Sequence, residues 1–155
     1  MHVVLSLCHS GGYNNSVHYI EKAPFSTVNG IWEFMPLAFK KQWYPKVEDP
    51  SELNNLPPMS STKIPCYPLS AILHKFGVTY LDFFSLDVEG AEMEVLQTLD
   101  FRSVTFGVIV VEENGNGEAI QKLLESNQYK FAGKVVRNVW FQHSSFVRSS
   151  KAGSR

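Results

Sequence analysis

The chain has 155 residues, 44% of them hydrophobic, which suits one globular domain with a sizeable core. Its formal net charge is -1 and its 14 lysines and arginines are scattered, so it lacks the basic stripe that marks nucleic-acid binding. No apolar segment approaches the roughly 20 residues of a membrane helix, and the start MHVVLSLC lacks the basic end and cleavage site of a signal peptide.

Val3 to Cys8 reads as a short strand that stops at the turn Ser10-Gly11-Gly12, and Ser16 to Ile20 as a second. Residues 29 to 47 are rich in aromatics, but Pro36 and Pro45 interrupt them, so a long helix is not expected. Glu48 to Lys63, with Asn54-Asn55 and Pro57-Pro58, reads as a surface loop, and residues 29–63 together as an irregular insert or lid. Cys8 and Cys66 show no metal-ligand spacing and are expected as reduced thiols, which leaves the cytoplasm as the default location. The five histidines have no motif spacing; His18 alone is placed to line a site, if the 29 to 47 segment folds over it.

Leu69 to Phe76 reads as a short helix stopped by Gly77. Tyr80 to Leu86 is a nearly unbroken apolar run, the pattern of a strand covered on both faces. A helix is expected over Glu89 to Leu99, burying Ala91, Val95, Leu96 and Leu99. Phe106 to Val111 is a second buried strand, followed by Glu112-Glu113-Asn114, a glycine turn and a helix with Ala119, Ile120, Leu123 and Leu124 on one face. Tyr129 to Ala132 and Val139 to His143 are expected to pair antiparallel, and residues 144–155 to form a disordered tail.

This order argues for an α/β sheet that is parallel in the middle. Right-handed crossovers then bring both acidic strand ends, Asp87 and Glu112-Glu113-Asn114, to one edge, where ligands of such sheets bind. Glu92 reads as a residue that offsets the positive end of the helix dipole. For the others two chemistries fit: a carboxylate general base acting on a substrate hydroxyl, or a hard divalent cation held by Asp87, Glu113 and Asn114. Spacing alone does not choose between them.

The run Tyr80-Leu81-Asp82-Phe83-Phe84-Ser85-Leu86-Asp87-Val88-Glu89-Gly90-Ala91-Glu92 resembles the "DFLKIDVEGAE" signature of FkbM-type methyltransferases. Ile64-Pro65-Cys66-Tyr67-Pro68-Leu69-Ser70 resembles that family's "VPVxTLD" lead-in, with Ser70 in place of an Asp. Val108 to Glu112 resembles its next strand, and Tyr129 to Phe141 its closing "GYxFxGRxGRNDxVF" hairpin, without the Asp that follows the Asn. Leu7-Cys8-His9-Ser10 is similar to a short "ACLS" segment after the family's third strand.

The resemblance implies a Rossmann-like class I methyltransferase sheet, mostly parallel with a C-terminal antiparallel hairpin. Residues 1–143 would form a partial domain, its N-terminal strands and glycine-rich cofactor loop missing. It further implies methyl transfer from S-adenosylmethionine to a hydroxyl of a small molecule or glycan. Asp87, Glu89 and Glu112 would be catalytic, Cys8 and Asp87 would contact the cofactor, and no metal ligand is assigned, although a divalent metal stays open. An incomplete sheet would also expose the Tyr80 strand edge to association with a partner. Two further readings stand beside this one: an inactive remnant acting as a binding module, and a metal-dependent enzyme on a similar sheet.

Overall fold

The computed structural model describes residues 16–22 and 28–146. Two sheets carry the described residues. The first is antiparallel, with β1 (Ser16–Lys22) between β2 (Gly30–Ile31) and β3 (Met59–Pro65). In the second, β4 (Tyr80–Leu86) runs parallel to β5 (Thr105–Glu112), and β7 (Asn138–His143) and β6 (Tyr129–Val135) follow antiparallel in the order β4-β5-β7-β6. Among the described residues, then, the expected mostly parallel sheet has one parallel pair, β4 with β5.

The expected strand at Val3 to Cys8 lies outside the described residues. Where a surface loop was expected, the chain forms the 3-10 helix Pro50–Asn55 and then β3. Asp49 caps the 3-10 turn by accepting from Ser51 N at 2.8 Å, while Glu52 Oε1 accepts from Asp49 N at 3.1 Å. The strand eluded pattern reading because both its faces stay partly exposed, so Ser60, Ser61 and Lys63 mask the period-two signal. Its seven residues pair with β1 along their whole length.

Helix α1 (Leu37–Trp43) occupies the aromatic segment and is held to seven residues by Pro36 before it and Pro45 just after Tyr44. Its aromatics are packing residues. Trp32 and Tyr44 meet edge to face at 5.8 Å, and Tyr44 donates its hydroxyl to Val28 O at 2.7 Å. With Ile20, Met35 and Leu53 they form a small core of their own.

Helix α2 (Leu69–Lys75) ends before Gly77, whose φ of 65° gives the left-handed stop expected there. Helix α3 (Glu92–Gln97) starts later than expected, since Glu89 (φ 54°) and Gly90 (φ 106°) hold the preceding turn out of helical geometry. The face of Ala91, Val95, Leu96 and Leu99 is nevertheless buried as expected. It packs with Ile120 and Leu124 of α4 (Gly117–Ser126) against Ile109, Val111 and Phe141 of the sheet. Each such side chain, fully buried, contributes about 1.5–3 kcal/mol.

One expectation fails in an informative way. β4 was expected to be covered on both faces, yet Tyr80 is 49% and Phe83 53% exposed. It is an edge strand among the described residues, with β5 as its one neighbour. Apolar sequence reports a capacity for burial, and here the described chain fulfils it for Leu81, Phe84 and Leu86 but not for Tyr80 and Phe83. Cys66 brings a second correction: it is buried and disulfide-bonded, not a thiol. The chain's other cysteine, Cys8, lies outside the described residues. So do most of the residues expected as a tail; of these, Phe146 is described, with its ring against Gly107, where a β-carbon would not fit.

Candidate active site

In the parallel pairing of β4 and β5, Leu86 lies opposite Val111, so Asp87, just past β4, and Glu112, the last residue of β5, stand at the same level. The left-handed turn at Glu89 brings a third carboxylate back to them. Asp87, Glu89 and Glu112 each offer a carboxylate oxygen, and the three oxygens lie within 4.8 Å of one another. Asp87 is exposed, and the other two are half-buried. The sequence-based expectation that both acidic strand ends share an edge is met at these residues.

A second layer holds the first. Glu92 is 1% exposed, and its Oε1 accepts from Val88 N at 3.0 Å, Gly90 N at 3.1 Å and Asn114 Nδ2 at 3.1 Å. Successive amides of a left-handed turn make an anion-binding concavity, and here the chain's own Glu92 fills it. Asn114 Nδ2 also donates to Glu112 Oε2 at 3.0 Å, and Asn114 Oδ1 accepts from Arg137. Arg137 reaches Glu112 Oε1 at 3.4 Å from the turn between β6 and β7. Glu113 is drawn aside by Lys134, which donates to it at 2.8 Å. The oxygen set expected from spacing, Asp87 with Glu113 and Asn114, is therefore replaced by Asp87 with Glu89 and Glu112.

Crowding sets the electrostatics. Burial, then the neighbouring charge and hydrogen bond of Glu112, push the Asp87 carboxyl above its ordinary range, while Arg137 pulls it back. Glu89 is raised in the same way, by burial first and then by Asp87, Glu112 and Glu92, with Arg137 again opposing. Such carboxyls favour either a shared proton or a cation between them.

The antiparallel sheet supplies a wall. A β-carbon on Gly90 would lie 2.8 Å from Pro36 Cδ and 3.0 Å from Phe34 O, and one on Gly30 would lie 3.6 Å from Glu89 Cβ. Beside this wall, Glu33 accepts from His18 N at 3.0 Å and pairs with His18 Nδ1 at 2.7 Å. The 29 to 47 segment lies beside His18, as Trp32 N donates to His18 O at 2.9 Å. Cys8, expected at the cofactor, lies outside the described residues.

The family model of the methyltransferase FkbM domain matches residues 17–137. The chain belongs to the FkbM methyltransferase family. No curated protein and no solved structure matches it. The matched span contains both sheets up to the β6–β7 turn, so the antiparallel sheet that walls the site is part of the FkbM domain. No helix among the described residues is long and apolar enough to cross a membrane.

The three carboxylates that meet here were named from the sequence, but what holds them was not. Glu92 was read as a dipole-offsetting residue because its position in a first turn says nothing about burial. Arg137 lies 45 residues further along the chain than Glu92, and only the β5–β7 pairing brings it close. The run Val-Val-Arg-Asn at a hairpin turn, with a lone cation between apolar strands, was the available signal.

Proposed function

We propose that the protein transfers the methyl group of S-adenosylmethionine to a hydroxyl of a small-molecule or glycan acceptor, at the edge formed by Asp87, Glu89 and Glu112. The observation that carries this reading is the grouping of three carboxylates, two of them raised, at the ends of adjacent parallel strands. The donor set fits the cofactor in charge, because S-adenosylmethionine brings a sulfonium and an ammonium group to a site with an excess of negative charge. When bound, that sulfonium makes its methyl group electrophilic.

Asp87 is the exposed member of the cluster and would meet the acceptor. Asp87 or Glu89 would accept the proton of the acceptor hydroxyl, and bound S-adenosylmethionine would supply the methyl group. The raised carboxyls suit that role, since a base works best when its pKa approaches the working pH. Glu112, fixed by Asn114 and Arg137, keeps the negative charge in place without moving. Residues 29–63 would act as the wall or cover, through Phe34 and Pro36. Most of the rate would come from in-line positioning. A divalent cation held by the same three oxygens is compatible with this reading and is not required by it.

The strands that carry the glycine-rich loop in this family would pair with the outer edge of β4. That edge has no neighbour among the described residues. The activity itself is tested by transfer of labelled methyl to a panel of hydroxylated acceptors. Asp87→Asn should lower transfer by about 10²–10⁴-fold, and undiminished transfer in both Asp87→Asn and Glu89→Gln would refute the assignment.

The exposed edge also favours one alternative. Among the described residues the outer edge of β4 is unpaired, and with Tyr80 and Phe83 exposed the strand suits partner binding whether or not methyl transfer occurs.

A further inference from the structure

Along α1 and the residues that follow it lies a cleft of about 540 Å³, lined by none of the three carboxylates and of a different chemistry. That volume lies within the range of small-ligand sites. Its charged lining is three lysines, Lys40, Lys41 and Lys46, against one carboxylate, Glu48. Glu33 also acts on Lys40. The floor is aromatic: Trp32 and Tyr44, both nearly buried, belong to the small core beneath.

The lysines converge from two pieces of chain. Lys40 and Lys41 sit in the last turn of α1, and Lys46 follows in a left-handed conformation (φ 68°) that turns the chain back beside them. The ammonium of Lys40 stands 4.6 Å from the centre of the Trp32 ring. Burial there lowers its pKa, because part of its hydration shell is lost and Glu33 offsets only some of the cost. A cation held over a ring and partly stripped of water gains from an oxyanion that completes its hydrogen bonds. Leu37, Pro45 and Val47 give the rest of the wall an apolar character.

We propose that this cleft is a binding site for a small organic anion, an oxyanion group carried on an apolar or ring-shaped body, with Lys40, Lys41 and Lys46 on the charge and the Trp32–Tyr44 floor beneath the body. The assignment concerns binding alone and stands apart from the methyl-transfer reading.

The test uses the indole ¹⁵N resonance of Trp32 in the whole chain, titrated with phenyl phosphate, benzoate and benzyl alcohol. The phosphate or the carboxylate should shift this resonance saturably, with affinity falling as salt is raised, and the neutral alcohol should not. Whichever anion binds identifies the oxyanion group. Lys46→Gln should weaken binding about fivefold, the scale of one partly exposed ion pair. Lys40→Gln should do the same and Lys40→Arg should restore it. Lys46 is exposed and outside both cores, so its variant keeps the test valid even if Lys40→Gln disturbs Trp32. Absence of a shift with both anions, equal binding of benzyl alcohol, or affinity unchanged in Lys46→Gln and Lys40→Gln alike would each overturn the proposal.

Discussion

Asn114 donates the same amide nitrogen to Glu92 at 3.1 Å and to Glu112 at 3.0 Å, tying a buried carboxylate to one that faces the site. Glu92 in turn satisfies the amides of Val88 and Gly90. Glu92→Ala leaves those donors without their acceptor and opens a hole beneath α3. It should cost about 3 kcal/mol, read as a lower denaturant midpoint, while Glu92→Gln, which keeps the accepting oxygen, should lose clearly less.

Gly90 and Gly77 share left-handed geometry but differ in surroundings. A β-carbon at Gly77 meets nothing within 4 Å, whereas one at Gly90 runs into Pro36 and Phe34. Gly77→Ala should therefore cost about 1 kcal/mol of backbone strain. Gly90→Ala should cost about 2–4 kcal/mol, since overpacking adds to the strain. Equal thermal shifts for the two would show that the wall gives way.

Asp87 and Glu89 are raised above their ordinary values of 3.8 and 4.5, so the folded chain holds their protons more tightly than the unfolded chain. The cost of ionising them is absent below those ordinary values and complete above the raised ones. Stability should thus fall as pH rises through that window. Asp87→Asn should flatten the fall and raise the melting temperature at neutral pH. Because Asp87 is exposed and screened, the gain stays below about 1 kcal/mol. Melting curves measured from acid to neutral pH check the sign.

Arg137 lowers both raised carboxyls, and its removal leaves them higher still. A base must be ionised to act, so in Arg137→Gln the acid limb of the methyl-transfer pH profile should move to higher pH. Carboxyl ¹³C titration of the same variant reads the shift without any activity. An unmoved limb and unmoved titrations would mean that Arg137 only braces the hairpin.

Phe83 is 53% exposed on an edge strand and stands 6.2 Å, ring to ring, from Trp140. Sedimentation velocity should show concentration-dependent association of the chain. Phe83→Lys, a charge placed on the open strand, should abolish it. A chain that stays monomeric at every concentration would remove the edge from consideration.

Much of this architecture was legible in the sequence because it rests on local pattern. β4 was bounded to the residue, as Tyr80 to Leu86 is a nearly unbroken apolar run and Asp87 ends it. The hairpin of β6 and β7 followed from apolar runs around Arg137-Asn138. β3 was missed because half-exposed strands dilute the alternation that reveals them. Arg137 was missed as a site residue because its role arises from distant segments meeting, and Glu92 because its burial and its link to Asn114 are not encoded in its first-turn position. The exposure of β4 was misjudged for the opposite reason: its sequence carries the mark of burial, and the described chain does not cover it.

The turn of Glu89 and Gly90 has one more consequence. Backbone amides at such turns are the usual means by which a protein welcomes phosphate or carboxylate groups. Here Glu92 permanently occupies that berth, so the amides of Val88 and Gly90 are turned inward to a carboxylate of the chain itself. The edge is left with an excess of negative charge that Arg137 offsets only in part. Before any shape is read, that excess favours molecules that lead with a positive centre over those that lead with a negative one.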